Sequence, residues 1–201
     1  MICRLEQIYN HQRKLMFQFE KIELENGLLE SGKIPLDMDT AAGQARLRNF
    51  AGRVTEEIVE AINEDAQEMQ VELADVMHFF VELLILADIR PGDIQAQPID
   101  HERDRLDELM SYNESPLIRI EMVVCLYEVI RKLWTATNYL KQKAWKQNKR
   151  ESDLLCYERH IGYSFRYFLF AVSRFGITSQ QFFDLYMGKA KVNQDRINSG
   201  V

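Results

Sequence analysis

Turn-formers are scarce in this chain: 201 residues hold nine glycines and four prolines, about half the usual share of roughly 12%. An all-β domain places a turn about every 8–12 residues, so that class is excluded, as are collagenous and low-complexity chains. Cysteine is scarce as well. Cys3, Cys125 and Cys156 are odd in number and lack CxxC spacing, the pattern of free thiols in a reducing cytosol and not of a disulfide framework. Long apolar runs are missing. Arg4 and Glu6 interrupt the start, against a signal peptide. The longest run, Val76 to Ile89, is broken by His78, Glu82 and Asp88 and falls short of the roughly 18 residues that a membrane span needs. A basic excess is missing too. With 25 Lys and Arg against 31 Asp and Glu, the formal net charge is −6, which disfavours nucleic acid and anionic membranes as partners. The reading is a cytoplasmic protein, in a host's cytoplasm if virus-encoded. It can take an anionic small substrate only where metal ions or a local basic patch reverse the sign.

What is present is helical periodicity. Apolar Leu5, Ile8, Tyr9, Leu15, Phe19, Ile22 and Leu28 recur near helical spacing, predicting a first helix over Arg4 to Leu29 that Gly32 and Pro35 stop. A second helix is expected from an Asp39 or Thr40 cap through Phe50, Val54, Ile58 and Ile62. After a turn at Asn63 to Gln67, a third is expected over Glu68 to Ile89. Residues 90–101, with Pro91 and Pro98, read as a loop, followed by a polar helix or linker to Tyr112. Pro116 opens a stretch with one glycine before Gly176, read as two long helices meeting near Asn148 to Ser152. A last helix starts at a Thr178 or Ser179 cap. The prediction is a single all-α domain, residues 1–201, forming a helical bundle of five to seven helices.

Two acidic pairs stand on consecutive helices. The second helix carries EEIVE, with Glu56, Glu57 and Glu60, and the third carries ELAD, with Glu72 and Asp75. Residues three apart share a helix face, so Glu57 and Glu60 project together, as do Glu72 and Asp75. Apolar neighbours (Ile58, Val59, Leu73, Val76) put both pairs near the buried side. In an antiparallel hairpin the four carboxylates converge, and four like charges persist in a half-buried site only beside cations. Hard oxygen donors select Mg²⁺ or Mn²⁺ over Zn²⁺. Glu64, Asp65 and Glu68 read as a solvated turn, and His78 as a hydrogen-bonded core residue. Near the C-terminus Lys189, Asn193 and Arg196 fall at i, i+4 and i+7, a face suited to phosphate oxygens.

The motifs EEIVE, ELADVMHFF and YMGKAKVNQDRINSGV, in this order after IYNHQRKL (Ile8 to Leu15), resemble the dimeric dUTPase branch of the all-α NTP pyrophosphatase superfamily, kin to MazG-like enzymes. The resemblance implies that Glu57, Glu60, Glu72 and Asp75 bind two or more Mg²⁺ ions. It implies phosphate contacts from Lys189, Asn193 and Arg196 and a base contact from Gln12. It further implies hydrolysis of a deoxynucleoside triphosphate, dUTP first, to monophosphate and pyrophosphate, with Glu57 or Glu60 activating the water, in a homodimer. Two departures bear on the base. The segment AINEDAQEMQV between the acidic motifs lacks the Trp residues usual in that branch, and Ala190 and Val201 replace the usual Asn and Tyr. Base choice is therefore open to dCTP, a purine or a modified deoxynucleotide.

Two further readings come from other classes. Lys141, Lys143, Lys146, Lys149 and Arg150 surround Trp145 and suit a nucleic-acid-binding module, or merely complement a helix C-terminus. A catalytically silent helical scaffold is the other. The aromatic run Phe165, Tyr167, Phe168 and Phe170 offers more apolar surface than a small core covers, in line with a homodimer.

Overall fold

The computed structural model describes residues 3–26, 33–94, 104–110, 118–143 and 151–199. Among them are seven α-helices and no strand: α1 (Arg4–Glu25), α2 (Ala41–Asn63), α3 (Glu68–Leu86), α4 (Arg105–Met110), α5 (Arg119–Thr137), α6 (Leu154–Arg174) and α7 (Ser179–Ser199), with a 3₁₀ turn at Pro91–Asp93. The all-α expectation holds. No helix among the described residues is long and apolar enough to cross a membrane.

Of the two candidate caps for α2, Thr40 is used. Its side chain accepts from the Gly43 amide at 3.0 Å and donates to the Asp37 carbonyl at 2.8 Å, satisfying a backbone donor that the helix itself leaves unpaired. Gly43 is required here, because a Cβ would lie 2.1 Å from the Asp37 carbonyl oxygen. At the other end of α2 the Asp65 side chain accepts from the amides of Gln67 and Glu68 at 2.8 and 3.1 Å, turning the chain into α3. The two helices run antiparallel, and the Leu36 amide, ahead of α2, donates to the Leu86 carbonyl at the end of α3.

The helix ends differ from periodicity in three places. α1 stops at Glu25; Leu28 and Leu29 lie outside the described residues. α3 stops at Leu86 instead of Ile89. Asp88 takes a left-handed φ of 56°, the Asp88 amide bonds the Ile85 carbonyl and the Ile89 amide the Leu84 carbonyl, a left-handed stop of the kind that usually employs glycine. Ile89 is buried all the same, so its hydrophobicity reports the core and not the helix. α5 ends at Thr137, about ten residues before the expected junction, because α2 captures the chain. Gln44, fully buried, donates to the Met38 carbonyl and to Ser152 Oγ at 2.7 and 2.8 Å and accepts from the Gln142 amide at 2.8 Å. Those bonds replace the helical ones that α5 would otherwise continue. Lys141 and Lys143 follow in the loop; Trp145, Lys146, Lys149 and Arg150 lie outside the described residues, as does Tyr112.

All seven helices contribute to one continuous core. Its centre is aromatic: Phe80 of α3 meets Phe165 and Phe168 of α6 at ring distances of 5.3 and 5.8 Å, and Phe168 meets Phe182 of α7 at 5.9 Å. All four rings are fully buried, each contributing on the order of 1.5–3 kcal/mol. Two of the residues read as surplus surface, Phe165 and Phe168, are thus core, while Tyr167 and Phe170 are half-buried. Among the described residues the most exposed large apolar side chains are instead Phe17 of α1 and Ile120 of α5.

Candidate metal centre

Helical spacing and the antiparallel α2–α3 hairpin bring the acidic pairs together. One carboxylate oxygen from each of Glu57, Glu72 and Asp75 lies within 4.8 Å of the others. Glu60, one turn further along α2, is exposed and borders the same cleft without joining this triad. The cleft, about 480 Å³, is also lined by Gln12 from α1 and by Lys189, Asn193 and Arg196 from α7. The eight residues to which the resemblance assigns a role therefore border one depression. Glu64, Asp65 and Glu68, read as a solvated turn, are exposed.

The electrostatics are those of crowded acids. Burial, then the charges of Asp75, Glu60 and Glu72, push the Glu57 carboxyl up to about 7; burial and Asp75 raise Glu72 likewise. Among the described residues Lys189 answers them. Lys189 Nζ sits 2.5 Å from Asp75 Oδ2, with both side chains largely buried. Three carboxylates at this spacing, with neither His nor Cys among the donors, fit a hard divalent cation. Such an ion would supply the countercharge that this acidic cluster calls for. Asn193 and Arg196 continue the Lys189 face along the cleft wall, Asn193 half-buried and Arg196 exposed. Ala190, directly after Lys189 in sequence, is fully buried against the core, which accounts for a small residue there. Gly200 and Val201 lie outside the described residues.

Gln12 is held from three sides. Its Oε1 accepts from Tyr186 Oη at 2.7 Å and from His78 Nδ1 at 2.8 Å, and its Nε2 donates to Glu82 Oε2 at 3.4 Å. His78 stacks on Tyr186 with ring centroids 4.1 Å apart. Burial holds the imidazole neutral by lowering its pKa to about 3, consistent with an Nδ1–H donor and an uncharged ring. The core reading of His78 agrees with its 4% exposure, although its edge reaches the cleft.

Sequence reasoning missed the far end of the cleft. Arg46, Phe50 and Arg53 of α2 and Phe79 and Glu82 of α3 all line it. Arg53 lies 5.2 Å from the Phe50 ring and 5.6 Å from the Phe79 ring, while Arg46 pairs with Glu20 and Glu23 of α1 at 2.8 and 3.5 Å. The signal was available: Arg53 is four residues before Glu57, and Glu82 seven after Asp75, so each continues an acidic face by helical register. Glu82 was legible only as an interruption of an apolar run. No family model, curated protein or solved structure matches the chain.

Proposed function

We propose that this cleft binds a deoxynucleoside triphosphate with Mg²⁺ and hydrolyses it to the monophosphate and pyrophosphate. The observation that carries the reading is convergence: an acidic triad and the Lys189–Asn193–Arg196 face border one cleft although more than 110 residues separate them in sequence. Glu57, Glu72 and Asp75 would hold the ion, with Mn²⁺ as a substitute. When bound, the metal supplies charge neutralisation and Lewis acidity toward the phosphates.

The chain's own residues do the rest. Lys189, paired with Asp75, would turn its ammonium to phosphate oxygens. Arg196 adds a planar donor pair suited to phosphate, and Asn193 an amide. Glu60, outside the triad and open to solvent, would take the proton of an attacking water. The resemblance to the dimeric dUTPase branch names dUTP as the first substrate to try, and a homodimer as the assembly. MazG-like activity on another nucleotide is the alternative.

The test is a panel of common and modified deoxynucleoside triphosphates with Mg²⁺, scored for pyrophosphate release. The expected outcome is metal-dependent turnover that EDTA abolishes and Glu60→Gln impairs. Turnover of none of them overturns the reading and leaves the scaffold alternative. Sedimentation at micromolar concentration checks the dimer.

A further inference from the structure

The cleft has two ends, and the contacts between α3 and α7 tell them apart. His78 stacks on Tyr186 and Asp75 pairs with Lys189, so the two helices run in opposite directions along the wall. Asn193 and Arg196 therefore continue past the carboxylates, away from Phe79. On α2, Arg53 stands one turn before Glu57, about 6 Å along the helix axis, on the side of Phe50 and Phe79. A nucleotide whose outer phosphates lie toward Arg196 would pass the acidic triad and then reach Arg53, where phosphate gives way to sugar and base.

Arg53 is uncommitted there. Its guanidinium lies 5.2 Å from the Phe50 ring and 5.6 Å from the Phe79 ring, and both rings line the cleft. Among the described residues it makes neither a hydrogen bond nor an ion pair. The neighbouring charges are engaged elsewhere. Arg46, seven residues earlier on the same face, is held by Glu20 and Glu23, and Lys189 by Asp75. Glu82 accepts from Gln12 Nε2 at 3.4 Å. Ring contact restrains the cation through its face and leaves the in-plane N–H edge open.

Resting on the nucleotide reading above, we propose that Arg53 is a further substrate-binding residue, whose guanidinium donates to an oxygen of the nucleotide on the base side of the metal site. A guanidinium carries five N–H donors and no acceptor, and it keeps its charge at every pH at which the protein is folded. It therefore binds a phosphate or keto oxygen and offers nothing to an exocyclic amine. Two parts of a nucleotide carry such an oxygen at this end: the inner phosphate, and a keto base such as uracil or hypoxanthine.

The experiment measures kcat/KM with Mg²⁺ for dUTP, dCTP, dITP and dATP, and inhibition by inorganic triphosphate, in the wild type, Arg53→Gln and Arg53→Lys. Urea denaturation midpoints are taken alongside. In Arg53→Gln, kcat/KM should fall about tenfold or more, the scale of one lost hydrogen bond to a charged group. The midpoint should hold, because the side chain is exposed and most surface substitutions change stability little. An inner-phosphate acceptor lowers all four nucleotides alike and weakens inhibition by inorganic triphosphate by a similar factor. A keto acceptor confines the loss to dUTP and dITP and leaves inorganic triphosphate unaffected. Arg53→Lys keeps a cation over the rings without the planar fork, and should hold the midpoint while recovering only part of the activity. Values within about twofold of the wild type in Arg53→Gln overturn the assignment of Arg53 and leave the hydrolase reading intact. So does a loss that tracks a lowered midpoint and that Arg53→Lys fully restores, the sign of a guanidinium that only braces Phe50 and Phe79. Absence of pyrophosphate release from every nucleotide in the wild type overturns both.

Discussion

The molecule contains two antiparallel helix pairs of similar length, α2–α3 and α5–α6, and they are built on opposite terms. Where α5 meets α6, the fully buried Ser164 bonds the Val129 carbonyl at 3.0 Å, and Phe165 and Phe168 carry α6 into the common core. The ion pair of α5, Glu128 with Arg131, faces outward, both side chains over a third exposed. α2 and α3 share the same core through Val54, Ile58, Leu73 and Val76. Along their cleft side, however, runs a row of half-buried ionisable groups: Glu57, Glu72, Asp75 and Glu82. Crowded acids lower the stability of the free protein, and they persist here because helices anchored elsewhere hold them in place. One pair supplies rigidity; the other spends it on charge.

Four measurements break or sharpen that contrast. The largest effect belongs to the apolar side: Phe165→Ala should cost about 3–5 kcal/mol in urea denaturation, with the loss centred on the core that all helices share. Next, Glu72→Gln should reduce Mg²⁺-dependent pyrophosphate release more than about 100-fold, beyond the effect of losing a group that merely orients a metal ligand. In metal-free buffer its denaturation midpoint should hold or rise, since one of the repelling acids has become neutral. A parallel loss of stability would mean that the carboxylates are structural and would collapse the distinction between the pairs.

A smaller effect is the pH dependence of stability without metal. Glu57, held up to about 7, and Glu82, held up to about 8, keep protons in the folded chain that the unfolded chain releases near its ordinary carboxylate value. Stability should therefore be fullest below about pH 4.5 for these two groups and fall as pH rises through 7 and then 8. Saturating Mg²⁺ should flatten the first part of that fall, because a cation favours ionised Glu57, and leave the part due to Glu82. Identical slopes with and without Mg²⁺ would remove the triad as a metal site. Last, Glu128→Ala should leave the midpoint unchanged, as exposed pairs of this kind contribute little.

Local chemistry was readable from the chain wherever it obeys helical register. Thr40 as a cap, Glu57 with Glu72 and Asp75, and the Lys189–Asn193–Arg196 face are each set by spacing and side-chain type within one helix or one hairpin. What was not readable depends on contacts distant in sequence. The early end of α5 comes from Gln44, about 100 residues away from the loop it binds. The stop of α3 uses an aspartate where glycine would have announced the turn. Glu82 and Arg53 share the faces of the acidic residues, yet an isolated Glu in an apolar run or an isolated Arg beside Phe50 carries no signature until the hairpin sets them across one cleft.

The Gln44 amide has one more consequence, for protein engineering. Its bonds reach both Gln142 and Ser152; beside it the Lys141 amide donates to Ser152 Oγ at 2.7 Å and the Asp153 amide to the Tyr139 carbonyl. Residues 139–142 and 152–153 are thus tied to each other and, through Gln44, to α2. Gln44 is therefore the position that engineered variants should leave untouched, because one substitution there would loosen Gln142 and Ser152 together.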